Sequence, residues 1–329
     1  MPEPRVTSRD VARRAGVSQS TVSYVLNDTP GQTISAATRA RVQEAAAALA
    51  YTPSAAARAL RAGRTDTVLV VLADMPVSPA AVAIMGVLGA TLRPYGYADV
   101  YQRRDGRDLS QMIASLTPVA VVDLGAFTFA EVTAEAARGV PVVGVSLDGV
   151  DGHLVRVPQR TIGRLQAEHL VARGHTRLGY AAAADPRATA LARGRAAGVH
   201  EVCAERGLPE PVTVDVPLYP DAAERAVRRL RERPDPVTGV CAYDDEVALA
   251  VLAGLRAAGL SAPRDLAVVG VDDAPLARLA APALTTVDVQ TADVGASLAR
   301  HVLNRVQPSL GLPEPDDEPS IHLVVRAST

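Results

Sequence analysis

Ser8-Arg-Asp-Val-Ala-Arg-Arg-Ala-Gly-Val-Ser-Gln-Ser-Thr-Val-Ser-Tyr-Val-Leu-Asn27 is the stretch on which the reading turns. Two short helices crossing at a steep, fixed angle need a small residue where they touch, a turn that accepts positive φ, and apolar inward positions on both sides. Ala12, Gly16, Val22 and Val25 supply these at the required spacing. Val11, Ala12 and Ala15 give the first helix an apolar stripe, Gly16 ends it, and Ser18 caps the second. The outer face of that second helix carries Gln19, Ser20, Ser23 and Tyr24. An ordinary αα-hairpin within a larger helical domain accounts for Ala12 and Val22, but not for all four positions together with their basic flank.

Working outward, Ile34-Ser35 opens a third helix with Ser35 as cap and Val42, Ala45, Ala46 and Leu49 as its inward stripe; it ends near Tyr51-Thr-Pro53. Residues 54–63 form a short Ala-rich stretch, helix-competent but too short to be stable alone, so it orders only when something else holds it. Charge follows the same division. Residues 1–64 contain nine Arg against four acids, net +5, and the remaining 25 Arg and 32 acids net −7, so the overall −2 hides a basic head on an acidic body. Only the head is suited to approach phosphates. Arg13 and Arg14 read as a solvated face that steers toward phosphates rather than as specific contacts.

From Thr65 onward, apolar runs alternate with helix-length amphipathic segments. Strands are expected at 68–73, 98–102, 119–124, 142–146, 154–157, 177–182, 212–216, 239–243, 266–271, 286–289 and 321–325. Helical period appears at 79–93, 162–173, 190–206, 222–231, 246–258 and 292–306. This alternation implies parallel sheets covered by helices on both faces. Eleven strands exceed one typical sheet, so two Rossmann-like lobes are expected, with ligands outside the carboxyl ends of the strands. The Pro- and acid-rich run 307–319 reads as a surface loop between lobes.

Several chemistries are excluded. The chain has no Lys, so a Walker A lysine, a Schiff-base lysine and a Ser-Lys hydrolase are ruled out. Cys203 and Cys241 lie in apolar-patterned segments and read as small buried hydrophobes. Gly144-Val-Ser146-Leu-Asp148 lacks the closing Gly of a nucleophile elbow, so Ser146 reads as a strand-end residue. His169 fits an apolar helix face, His175 follows Gly174 at a helix end, and His153, His200, His301 and His322 show no metal spacing. The acid pairs Asp244-Asp245 and Asp272-Asp273 follow strands, where capping and hydrogen bonding explain them. No Gly-x-Gly-x-x-Gly follows a strand. Neither a metal, a cofactor nor an enzymatic activity is expected. With no apolar leader after Met1 and no membrane-spanning run, a soluble cytoplasmic protein is expected.

Val6-Thr-x-x-Asp10-Val-Ala12, Ala15-Gly-Val-Ser18, Thr21-Val-Ser23, Val25-Leu-Asn27, Thr38-Arg, Tyr51-x-Pro53 and Ala57-Arg-x-Leu60 together resemble the headpiece and hinge of the lactose-repressor (LacI/GalR) family. Gly174-His175, Arg195-x-x-Gly198, Asp245 with Ala248, Val269-Gly-Val-Asp272-Asp273 and Pro282-x-Leu-Thr-Thr286 resemble the family's sensor core. The resemblance implies an all-α helix-turn-helix headpiece over 1–53 and a hinge helix over 54–64. It further implies an α/β, two-lobed, periplasmic-binding-protein-like sensor over 65–329. Its N-lobe would be about 65–157 plus 290–318, and its C-lobe about 158–289 plus 319–329. The implied function is a homodimeric regulator, a repressor, that binds double-stranded operator DNA and is switched by a small effector between the lobes.

Carried over position by position, the resemblance puts Gln19, Ser20 and Tyr24 at base edges and Thr7, Ser18, Thr21, Ser23 and Asn27 on phosphates. Leu60 matches the family's minor-groove wedge, with Arg61 following it. Family members often have Arg where this chain has Tyr24, which removes one guanine contact. In the sensor, Asp74, Phe127, Gln159, Arg195, Asp244 and Asp272 are the candidate effector residues. Arg195 with Asp272 suits a clamp on vicinal hydroxyls, as in a sugar, and equally suits a structural pair bracing the lobes. Phe127, Phe129 and Tyr243 are the aromatics available to stack on a sugar face, and each equally suits a place in the core.

Three departures from the family stand out. Asp244 replaces a common Asn, Gln159-Arg160 occupy the place of Asp-Asn, and Asp74-Met-Pro-Val-Ser-Pro79 lacks the Asn-Pro-Phe-Phe run. They leave open a regulator whose cleft has lost its ligand and which acts constitutively or through a protein partner. A ligand-binding protein or α/β enzyme with a helical interaction module is the reading from a different class; the missing catalytic constellation and the basic head disfavour it.

Overall fold

Short polar caps set the ends of the headpiece helices. The structure, a computed structural model, describes residues 6–26, 31–51, 63–106, 108–146, 155–316 and 319–329. Contacts divide the chain into two units, Met1–Asp66 and Thr67–Thr329. In the first, α1 (Ser8–Ala15) begins with a box in which the Asp10 carboxylate accepts from the Thr7 backbone N–H at 2.9 Å and from its hydroxyl at 2.6 Å. It ends at Gly16, whose φ of 64° is the left-handed cap expected there. The Ser18 hydroxyl accepts from the Thr21 N–H at 3.1 Å to start α2 (Gln19–Leu26). Ser35 accepts from the Thr38 N–H at 3.2 Å to start α3 (Ala36–Ala48). Val11, Ala12, Ala15, Val22, Val25, Val42, Ala45 and Ala46 close a core of their own, and Leu49 packs against it half-buried. The Ala-rich stretch at 54–63, apart from residue 63, lies outside the described residues.

The second unit holds two mostly parallel sheets. The first is ordered β2-β1-β3-β4-β5 and is entirely parallel, from β1 (Thr67–Leu72), β2 (Ala98–Arg103), β3 (Ala120–Leu124), β4 (Val142–Ser146) and β5 (Val155–Arg156). Its helices are α4 (Pro79–Leu92), α5 (Leu109–Leu116) and α6 (Phe129–Ala137). The second sheet is ordered β11-β10-β9-β8-β6-β7, from β6 (Leu178–Ala183), β7 (Val212–Val216), β8 (Gly239–Ala242), β9 (Ala267–Val271), β10 (Thr285–Asp288) and β11 (His322–Val324). Only the β10–β11 pair is antiparallel. Its helices are α7 (Gln159–Ala172), α8 (Thr189–Glu205), α9 (Pro220–Arg231) and α10 (Asp245–Ala257). The long α11 (Thr291–Val306) returns to the first lobe and packs closely on α4, where a Cβ on Gly295 would lie 2.7 Å from the Ile84 carbonyl oxygen.

Central strands β1, β3, β4, β8 and β9 are buried along their length because helices cover both faces, which is why they read as unbroken apolar runs. The chain passes between lobes after β5, after β10 and before β11. The strands end toward the cleft that these crossings leave, and α5 and α6 are the two helices beyond the segments picked out by period.

Candidate functional site

On the headpiece, α2 buries Val22 and Val25 and leaves Gln19, Ser20 and Tyr24 exposed, with Thr21 and Ser23 half-buried beside them. The hydroxyls are already organised: Ser18 Oγ lies 2.7 Å from Ser20 Oγ and 2.8 Å from Thr21 Oγ1. The Gln19 amide donates to Ser8 Oγ at 2.7 Å, which ties the recognition face to α1. Thr7 is exposed at the start of α1, where the dipole of the helix favours an anion. Arg13 reaches Asp10 at 3.4 Å from an exposed position. Asn27, Leu60 and Arg61 lie outside the described residues.

In the sensor, four of the six expected residues meet. Gln159, Arg195, Asp244 and Asp272 line a cavity of about 130 Å³ between the lobes. Arg195 comes from α8, which crosses α7 so tightly that a Cβ on Gly163 would lie 1.9 Å from the Arg195 carbonyl oxygen. A Cβ on Gly198 would lie 2.1 Å from that of Arg160. These two glycines therefore fix where Arg195 stands. Its Nε donates to Gln159 Oε1 at 2.8 Å, its Nη1 donates to the Tyr243 carbonyl, and its guanidinium sits 4.9 Å above the Tyr243 ring. Gln159 spends its amide on the Val157 carbonyl at 3.0 Å.

Asp244 caps α10 by accepting from the Val247 N–H at 2.8 Å, and burial raises its pKa above the usual carboxylate range. Asp245 holds the loop after β9 in place, accepting from Thr286 Oγ1 at 2.6 Å and the Ala274 N–H at 2.7 Å; burial pushes it up to about 7. Asp273 pairs with Arg326 at 2.5 Å and Arg278 at 3.4 Å. Asp272 differs from these neighbours. Its φ is +104°, its side chain is 8% exposed, and its distance to Arg195 Nη2 is 4.0 Å. Burial pushes its pKa up to about 6.

The other two expected effector residues stand elsewhere. Asp74 is exposed and engaged by Arg103 at 3.1 Å and by Arg187 of the opposite lobe at 3.6 Å, while its neighbours Ala73, Met75 and Pro76 line the cavity. Phe127 is buried against Leu69, Val71 and Leu109, its N–H donating to Asp123 at 3.1 Å, because the turn after β3 needs an apolar plug on that face. Phe129 points to solvent as the first residue of α6. Among the aromatics, Tyr243 does line the cleft, and so does Tyr219, which sequence reasoning passed over. Tyr219 borders an adjoining chamber of about 430 Å³ together with Asp185, Glu246 and Ser78. The apolar wall from Met75 to Ile84 was also missed; its signal is a run without one charged residue from Met75 through α4.

Ser146 is the buried last residue of β4, and Cys203 and Cys241 are free and buried. His169 meets Thr329 Oγ1 at 2.8 Å and His175 meets Thr238 Oγ1 at 3.1 Å. Among the described residues there is no group of three or more potential metal ligands, and no helix is long and apolar enough to cross a membrane.

Two family models match the chain: bacterial regulatory proteins, lacI family, over residues 7–54, and the periplasmic binding protein-like domain over 167–329. The regulator MalR of Streptomyces coelicolor is 32% identical over 343 residues, covering 97% of this chain and 95% of its own. The chain belongs to the lacI family of bacterial regulatory proteins. The regulator GalR of Escherichia coli K12, another member, is 30% identical over 292 residues, covering 85% of this chain and 83% of its own. A solved complex of the regulator CelR with cellobiose aligns with a TM-score of 0.67 at 29% identity, covering 99% of this chain and 100% of that one. The lac repressor dimer bound to operator and the anti-inducer ONPF shares the fold, with a TM-score of 0.84 at 22% identity and 99% coverage of both chains. As a lacI-family member, the protein is a DNA-binding transcriptional regulator rather than an enzyme, with a helical headpiece and a two-lobed α/β domain.

Proposed function

We propose that this regulator is a repressor that binds a pseudo-palindromic operator as a homodimer, with the 1–53 headpiece reading DNA and the 65–329 sensor binding a small polar effector. The observation that carries the reading is α2: a helix anchored by Val22 and Val25 whose outward residues, Gln19, Ser20, Ser23 and Tyr24, all carry hydrogen-bonding groups, on a headpiece with net positive charge. Gln19 suits the N6/N7 edge of adenine, Tyr24 a thymine methyl or an acceptor, and Ser20 is permissive. Thr7, Ser18, Thr21, Ser23 and Asn27 fix register on phosphates, and Leu60 with Arg61 wedges the minor groove.

Exposed apolar surface supports pairing of two copies. α4 is apolar all round yet leaves Val82 exposed, and beside it the edge strand β2 exposes Val100 and Tyr101, whose hydroxyl donates to the Met85 carbonyl at 3.0 Å. The effector reading is supported by the convergence of Gln159, Arg195, Asp244 and Asp272 and by the cellobiose held by the CelR relative, which favours a sugar-like molecule. Binding would shift the population of lobe arrangements, and with it the competence of the paired headpieces.

Selection of duplexes from a random pool by the purified full-length protein near physiological salt tests this. A two-fold symmetric site is expected. Failure to enrich any site, with and without a broad metabolite panel, would sink the operator reading.

A further inference from the structure

The two walls of the cleft have opposite chemistry. On the first lobe the cavity is lined by Met75, Val77, Ala80 and Ile84, and the one polar side chain among them, Ser78, caps α4 by accepting from the Ala81 N–H at 3.2 Å. On the second lobe stand one guanidinium and two carboxylates, Arg195 with Asp244 and Asp272. Arg195 carries a single positive charge against these two carboxylates, and its Nε and Nη1 already donate to Gln159 and the Tyr243 carbonyl. Glu246 and Asp288 add to the negative field at Asp272.

Asp272 is the decisive group. More than nine-tenths of its side chain is buried, it lines the cavity, and Arg195 at 4.0 Å is beyond hydrogen-bond reach. A buried carboxylate without a close donor is unfavourable unless something completes it. Its backbone is also held at φ +104°, a conformation that L residues rarely adopt and that clusters at ligand clamps.

We propose that the cleft takes a cationic amphipathic small molecule, its protonated amine seated between Asp272 and Asp244 and its aliphatic or alicyclic body lying against Met75, Val77 and Ile84. The inference rests on the reading of this cleft as the effector site and departs from the sugar-like class that the CelR relative suggests. A neutral sugar can lay a ring face on Met75, Val77 and Ile84, but it brings no positive charge to the two carboxylates opposite. An anionic ligand would face the excess of acid.

The test is calorimetric titration of the full-length protein with cyclohexylmethylamine, cyclohexylmethanol, cyclohexanecarboxylate and cellobiose, at a pH where the amine is protonated. The amine is expected to bind at least about tenfold more tightly than the alcohol, and the carboxylate not at all. Asp272→Asn tolerates positive φ and is expected to cost the amine at least about tenfold while moving the alcohol less than about twofold. Val77→Asn is expected to weaken the amine as well. Equal binding of amine and alcohol, or an amine affinity indifferent to Asp272→Asn, overturns the proposal. Cellobiose binding that Arg195→Ala abolishes, with no amine binding, overturns the cationic class and leaves the cleft an effector site. If no probe binds, the proposal is overturned and the cleft's role as an effector site for such molecules goes with it.

Discussion

In the headpiece the outward side chains, Gln19, Ser20, Ser23 and Tyr24, fall within six residues; in the cleft the polar set, Gln159, Arg195, Asp244 and Asp272, spans more than a hundred. The first surface is produced by one helix turning on its own axis. The second requires two helices in contact through Gly163 and Gly198, a cap at the start of α10, and a loop after β9 pinned by Asp245. Local periodicity can therefore specify a reading face, whereas a ligand site is specified by packing among distant segments.

Gly163→Ala should break the cleft side of this comparison most severely. A methyl 1.9 Å from the Arg195 carbonyl oxygen forces α7 and α8 apart, and the expected loss is about 3 kcal/mol of sensor stability. Urea unfolding followed by circular dichroism measures it, and an isolated 1–53 headpiece with its own core supplies the unaffected reference. A stability unchanged from the native chain would mean that the helix crossing does not fix Arg195.

The two regions should also differ in their response to pH. Asp123 and Asp245 are pushed up to about 7 and Asp272 to about 6, each mainly by burial, against an ordinary value of 3.8. For an acid with a raised folded pKa, the unfolded chain ionises first as pH climbs. The sensor should therefore lose stability across the window from about 4 to about 7 and level off above it. Asp10 in the headpiece is lowered instead, first by the Thr7 hydroxyl, so it contributes a slope of the opposite sign. Melting of the full chain across this window, repeated with Asp245→Asn, should give a smaller fall for the variant; an identical fall would remove Asp245 as a contributor.

The smallest effect belongs to the headpiece. Thr7→Ala deletes the hydroxyl half of the Thr7–Asp10 box and should cost about 1 kcal/mol, read as a lower melting temperature of the headpiece with ligand binding in the sensor unchanged.

What could be read in advance follows the same division. Ala12, Gly16, Val22 and Val25 were legible because each satisfies a steric need set within eight residues of its neighbours along one helix pair. The apolar strand runs were legible because sheets buried on both faces leave no polar alternation, and the lobes' parallel order follows from the helices between them. Phe127 could be read either as a stacking aromatic or as core, and only its place beside Asp123 after β3 shows it packed as a core plug. Tyr219 was hidden in a Pro-flanked loop at the start of α9, where no period marks it. The wall was hidden because Met75 and Val77 lie in a loop without period and Ile84 in a helix, α4, with no charged residue, which reads simply as buried. Asp272 could be named from its motif, but its lack of a close partner beside three well-bonded acids is visible only in three dimensions.

The most direct measurement is the base preference of the full-length protein, determined in parallel for the native chain and for Gln19→Ala against the same random pool. A two-fold symmetric site is expected, with one A·T preference per half-site that vanishes in the variant and an affinity lower by about tenfold. A symmetric site with base preferences unchanged by Gln19→Ala would contradict the assignment of α2 as the reading helix.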